Sequence, residues 1–150
     1  MDFWGLIGAN AVETAGEVSA ALERVSGRLD GLESADLIQF VEQLQERLFW
    51  IDRRELAEIP VRLRGLEWPQ TSDHFLYARC ACILAGKSAY DLSSHSPTEF
   101  ARFVVPSSLY AEGLLYLAPI AYHNKTGREM DPVRSFPIDS MSNPQGWNAR

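Results

Sequence analysis

What this chain has little of narrows it first. Only two of its 150 residues are cysteine, Cys80 and Cys82. Residues two apart on a helix point about 200° away from each other. The two thiols can therefore neither pair in one disulfide nor ligate one metal together, and they read as buried small hydrophobes. No run of about 18 apolar residues exists, so nothing reads as a membrane span. The opening residues Met1-Asp2-Phe3-Trp4-Gly5-Leu6-Ile7 lack the basic region, apolar core and cleavage site of a secretory leader. The expected location is the cytoplasm. Positive charge is short too: 14 Lys and Arg stand against 20 Asp and Glu, a net charge of −6. Neutralising phosphates needs a basic face, so nucleic acid is not an expected partner.

The vocabulary of catalysis is equally thin. There is no Gly-rich phosphate loop, no Gly-x-Ser-x-Gly elbow and no paired-carboxylate signature. The three histidines, His74, His95 and His123, sit on separate segments without His-x-x-x-His spacing, and neither a metal nor a cofactor is expected. Lys125-Thr126-Gly127 matches part of a penicillin-binding-protein triad, but the Ser-x-x-Lys element that must accompany it is missing. These three residues read as a helix exit instead.

What is present is helical periodicity. Asp2 caps a short first helix, Phe3 to about Ala9. Val18, Ala21, Leu22, Val25 and Leu29 recur at spacings of three and four, which predicts a helix over 13–29. Asp30-Gly31 breaks it and Ser34 is a good cap for the next, whose buried face is Leu37, Phe40, Val41, Leu44 and Leu48. A short turn between them predicts an antiparallel hairpin of helices. Residues 55–66 keep helical spacing through Leu56, Ile59, Leu63 and Leu66, with Pro60 expected to kink or split them. Ser96-Pro97-Thr98-Glu99 is a capping box with proline at the first helical position. The last long helix is expected from Leu109 to about Asn124, bent at Pro119.

The stretch Ser72 to Gly86 is different, being apolar almost all the way round. A helix without a clean polar stripe is enclosed by other helices. The fold class expected is therefore all-α: a compact multi-helix bundle around a central buried helix, about residues 72–86, with an irregular C-terminal tail. Residues 1–127 form the helical domain. Residues 128–150, punctuated by Pro132, Pro137 and Pro144, form a tail packed partly on it.

That central stretch also carries the candidate site residues. A buried guanidinium at Arg79 must find partners, because an unpaired buried charge costs several kcal/mol or more. Asp73, Asp91 and Glu112 are the carboxylates expected to pair with it. The functional alternative is an anion-recognising pocket in which Arg79 works with Tyr77, Tyr90 or Tyr122. His74 beside Asp73 suggests a general base, but neighbours on a helix diverge by about 100°, which leaves the acid badly placed to orient the ring. Asp73, His74, Tyr77, Arg79, Tyr90 and Tyr122 are the candidates for ligand binding, and no residue is assigned a catalytic role.

The order and spacing of several short motifs resemble one family. Phe3-Trp4 with Leu6-Ile7 comes first, then Ser72-Asp73-x-Phe75-x-x-x-Arg79-x-x-x-Ile83-x-x-Gly86 with Tyr90 following. Glu112-Gly113-Leu114-Leu115-Tyr116 and Ala121-Tyr122-x-x-Lys125-Thr126-Gly127 complete the set. Together they resemble the bacterial family catalogued as domain of unknown function 4240, over about residues 2–130. The chain departs from that family's glycines at Glu67-Trp68-Pro69-Gln70, and has Cys82 where members tend to have Trp. The resemblance implies a small, mostly helical, bacterial cytoplasmic domain and implies no reaction. The leading functional expectation is a non-enzymatic interaction domain, accessory, regulatory or immunity-like, binding a protein or small ligand. The alternative is a small enzyme or small-molecule binder with an Arg/Tyr-lined pocket around Arg79. A homo-oligomer using Trp50, Trp68 or the tail is a third reading.

Overall fold

In the computed structural model, which describes residues 1–148, the chain is mainly helical. Helix α1 spans Phe3–Ile7, α2 Ala15–Leu29, α3 Ser34–Trp50 and α4 Arg54–Ala57. A hairpin follows, β1 Val61–Leu63 and β2 Leu66–Trp68. Then come α5 Ser72–Ala85, α6 Lys87–Ser94 and α7 Pro97–Phe100. Two 3-10 segments, Ala101–Phe103 and Pro106–Leu115, lead to α8 Leu117–Thr126, and α9 Pro144–Asn148 is the last element of the described residues.

Local chemistry sets many of these boundaries. Thr14 and Glu17 form a reciprocal capping box at the start of α2, satisfying donors that the first turn would otherwise leave orphaned. Thr71 caps α5 by accepting from the His74 amide, and Ser96 caps α7 with Pro97 just inside it. Gly127, at φ 70°, closes α8 in the left-handed conformation. In α3 the expected cap is displaced by one residue: Glu33 stands at the N-cap and Ser34 is already helical.

The central helix is enclosed as its composition predicts. From Ala78 to Leu84 every residue of α5 is buried, and Phe75 with them. It is wrapped by the 3-10 segment Pro106–Leu115, by α6, by α3 and by α2. Only its first turn, Ser72 and Asp73, stands in water.

Three expectations are corrected. Residues 55–66 are not one kinked helix: α4 stops at Ala57, and beyond Pro60 the chain forms an antiparallel hairpin with Val61 opposite Trp68, Arg62 opposite Glu67 and Leu63 opposite Leu66. Its tight turn is Arg64-Gly65, both at positive φ, 54° and 78°, the geometry that matches strand twist. The last long helix is split rather than bent. It breaks at Tyr116, and Pro119 falls in the first turn of α8, where a missing amide donor costs nothing. Finally, α2 and α3 do not line up chiefly against each other. Both pack on α8, whose small buried Ala118 and Ala121 let it settle between them.

Candidate functional site

The functional geometry starts at the C-terminal end of α3. The last carbonyls of a helix have no partner within it, and here three of them accept from side chains elsewhere in the chain. The Tyr90 hydroxyl donates to the Arg47 carbonyl at 2.9 Å. Arg79 Nη1 donates to the Leu48 carbonyl at 2.9 Å. Asn143 Nδ2 donates to the Phe49 carbonyl at 3.1 Å. A cation at this negative end of the helix dipole is favourably placed.

Arg79 does not form the carboxylate ion pair expected of it. It is 0% exposed, and its other donors reach carbonyls: Nε to Phe75 at 3.4 Å and Nη2 to Ile138 in the tail at 2.9 Å. Its guanidinium also lies over the Phe75 ring, 4.4 Å from the centroid. Burial pulls the guanidinium pKa below its ordinary value, opposed by the field of Asp52. Asp73, Asp91 and Glu112 are engaged elsewhere or solvated. Asp91 takes Lys87 at 2.6 Å, Glu112 accepts from Tyr116, and Asp73 is exposed.

One residue of this junction escapes sequence reasoning. Asp52 is 0% exposed and accepts four hydrogen bonds from the tail. They come from the amides of Met141 (3.1 Å), Ser142 (2.8 Å) and Asn143 (3.1 Å) and from the indole of Trp147 (2.7 Å). The signal available in the sequence is an adverse one. An acid just past a helix C-terminus faces the negative end of the dipole, so Asp52 must have donors supplied to it.

Tyr90 meets the carbonyl next to the one Arg79 takes, but none of the other candidates is hydrogen-bonded to Arg79. His74 lies in the first turn of α5, with Nε2 3.0 Å from the Val105 carbonyl and Nδ1 3.4 Å from Gln70 Oε1. Both neighbours are acceptors, so a neutral ring donates to one of them at a time, and the shorter contact, to the Val105 carbonyl, ties α5 to the segment before the 3-10 turn. Tyr77 is half-buried, its phenol pushed up by burial and by the nearby Glu112 carboxylate. Tyr90 packs its ring on Trp4 at 5.3 Å, and burial pushes its phenol up. Beside it Arg47 covers Phe3 and Trp4, 4.3 and 5.2 Å from the ring centroids, so this aromatic cluster already holds a cation of its own. Tyr122 belongs to α8, which packs mainly on α2 and α3. Arg79 is 0% exposed, so among the described residues its side chain meets no open surface.

The cysteines are sealed as well. Cys80 and Cys82 are free and buried, and burial pushes both thiols up to about 12. Among the described residues no group of three or more His, Cys, Asp or Glu is placed to hold a metal ion. No single helix among them is long and apolar enough to cross a membrane.

Among the described residues at least two features are open to a partner. The first is the hairpin. Alternation puts Val61, Leu63, Leu66 and Trp68 on one face and the Arg62–Glu67 ion pair (2.8 Å) on the other. Val61 is buried, but Leu63, Leu66 and Trp68 are 44%, 60% and 45% exposed. The second is a cavity of about 390 Å³ where the loop before α2, the end of α5 and the segment around Phe103 meet.

No curated protein and no solved structure matches this chain. A family model does, over residues 1–124. The match takes in α1 through most of α8, including Asp52, all six candidate residues, the hairpin and the cavity, and stops before the segment that donates to Asp52. The chain belongs to the family described as protein of unknown function, DUF4240.

Proposed function

We propose that this chain is a non-enzymatic, intracellular bacterial binding domain that docks a protein partner through the apolar face of its hairpin. One observation carries the reading: three large apolar side chains, Leu63, Leu66 and Trp68, stand together in water on one face of β1–β2. Clustered apolar exposure of this kind marks interaction surfaces, whereas single exposed hydrophobics are commonplace. A two-stranded hairpin is marginal alone. This one is held at its base by buried Val61 and by Gln70, whose amide donates to the Leu56 and Ala57 carbonyls at 2.9 and 3.2 Å. Its strands pair only with each other among the described residues. The free edges suit an extended segment of the partner, whose side chains would lie over Leu66 and Trp68. The non-enzymatic part of the reading is supported by the sealed thiols and by the engagement of Arg79 and His74 in holding the fold.

The test is capture from the host's extract by the intact protein and by a Leu66→Lys/Trp68→Ser variant. A specific protein retained by the first and lost by the second, with both equally folded by circular dichroism, is expected. Identical captured sets would remove the hairpin from the reading. Self-association that disappears in the variant, measured by sedimentation, would make the occupant a second copy of this chain. A second reading, a small-molecule binder, is favoured by the cavity of about 390 Å³ rather than by Arg79.

A further inference from the structure

We infer that the cavity beside the loop before α2 is a site for a small zwitterion with an apolar body, a free apolar amino acid or an apolar dipeptide. The inference rests on the small-molecule reading and specifies its ligand. At about 390 Å³ the cavity is within the size range of small-ligand sites. Its apolar lining comes from Val12, Ala85, Phe103 and Val105, and its charged groups are Glu13 and Arg102.

The walls are fixed before any ligand arrives. Asn10, also in the lining, donates from Nδ2 to the Ile7 carbonyl (3.0 Å) and the Leu84 carbonyl (2.7 Å). Its amide donates to the Ala85 carbonyl at 3.2 Å, and its Oδ1 accepts from Arg24 Nε and Nη2 at 3.3 and 3.0 Å. Ser107 holds the other side by donating to the Glu13 carbonyl at 3.2 Å. Gly86 permits the close approach: it sits at φ +115°, and a Cβ there would meet the Gly8 carbonyl oxygen at 2.9 Å. An irregular loop is thus tied at several points to the end of α5. Such preorganisation cuts the entropy that a ligand would otherwise have to offset.

The two charged side chains stand apart from this network. Among the described residues the Glu13 carboxylate has no ion-pair or hydrogen-bond partner. Arg102 has none either, and its guanidinium rests on the Phe103 ring, 4.7 Å from the centroid. Both are exposed, and they do not pair with each other, which would occupy both groups internally. One free anion and one free cation at an apolar-lined cavity match a ligand carrying both charges. Its carboxylate would take the planar fork of Arg102, its ammonium Glu13, and its side chain the space over Val12 and Phe103.

Calorimetric titration of the full chain with L-leucine, L-phenylalanine and leucyl-leucine tests this, with isocaproate, isoamylamine and isocaproamide as probes lacking one or both charges. At least one zwitterion is expected to bind about tenfold or more tightly than any of the three charge-deleted probes. Which zwitterion does so separates free amino acid from dipeptide. Arg102→Gln should weaken that zwitterion and isocaproate while leaving isoamylamine unchanged, and Glu13→Gln should weaken the zwitterion and isoamylamine while leaving isocaproate unchanged. Both positions are exposed, so neither variant threatens the fold. Isocaproamide binding as tightly as the zwitterions would overturn the ligand assignment and leave a small-molecule site standing. No binding by any probe would overturn both.

Discussion

Two regions of this molecule break the rule of apolar inside and charge outside, and they break it in opposite directions. The junction at the end of α3 buries a carboxylate and a guanidinium, Asp52 and Arg79, each 0% exposed. The hairpin leaves Leu63, Leu66 and Trp68 in water. At the junction both fully buried charges have partners within the chain: four donors for Asp52 and three carbonyls for Arg79. At the hairpin Val61 alone of the apolar face is buried, and Leu63, Leu66 and Trp68 are left largely open. A violation that the fold resolves internally belongs to stability. One that it leaves open belongs to whatever the fold meets.

If that division holds, the two regions must respond differently to mutation. The largest effect is expected at Asp52. Asp52→Ala strands three backbone amides and an indole at a buried site. Charge-assisted bonds contribute roughly 1.5–3 kcal/mol each, and a loss of at least about 4 kcal/mol is expected in a urea titration. The tail should also come away, giving new protease cleavage within residues 128–148 under native conditions. Wild-type stability with an intact tail would show that the four contacts are incidental.

Arg79→Met ranks next. It keeps much of the volume and removes the charge, so the desolvation cost of burying a guanidinium disappears along with its hydrogen bonds. The Leu48 and Ile138 carbonyls lose their donors, and a net loss of about 1–3 kcal/mol is expected from equilibrium unfolding. A variant more stable than the parent would mean that Arg79 is retained for something other than holding this junction.

These two residues also mark how far the sequence could be read. That Arg79 would be buried followed from the helix it sits on, since α5 has no polar stripe on which to place it. Its partners did not follow, because every residue carries a carbonyl and the one in the tail, Ile138, lies 59 residues away. Asp52 gave a weaker sign still, an acid at the wrong end of a helix dipole. Caps were easier: Asp2 and Ser96 act within three residues of themselves, although Thr14, inside the helix expected over 13–29, turned out to be its cap. The hairpin was hidden because Leu56, Ile59, Leu63 and Leu66 keep helical spacing. Its turn, moreover, is Arg-Gly rather than the Asn-Gly that announces paired positive φ angles. The cavity was out of reach because its lining comes from three stretches far apart in sequence, residues 10–13, residue 85 and the stretch from 102 to 105.

Alkaline pH probes the closed interior from another side. Cys80 and Cys82 are held near 12 when folded, against an ordinary value of 9.0. Between those values the unfolded chain has released protons that the folded chain keeps, so stability falls as pH rises. The slope is about 1.4 kcal/mol per pH unit for each thiol, present from about pH 9 and absent below it. Unfolding titrations at pH 8 and pH 10.5 should show the loss, and Cys80→Ala/Cys82→Ala should flatten the dependence. A parent profile already flat over this interval would mean that solvent reaches the thiols in the folded state.

The smallest stability effect is expected at the hairpin, and its smallness is the point. Leu66→Lys/Trp68→Ser removes two side chains that are 60% and 45% exposed and that lose little by losing each other. Surface changes of this kind usually fall within about 0.5 kcal/mol. An unfolding midpoint close to the parent's is therefore expected, together with the loss of partner capture. A large loss of stability would instead show that the two side chains are covered in solution, by the tail or by another copy. The hairpin would then resemble the junction, its apolar face satisfied by the chain itself. Sedimentation separates these cases, because a second copy leaves a mass twice the monomer's and a folded-back tail does not.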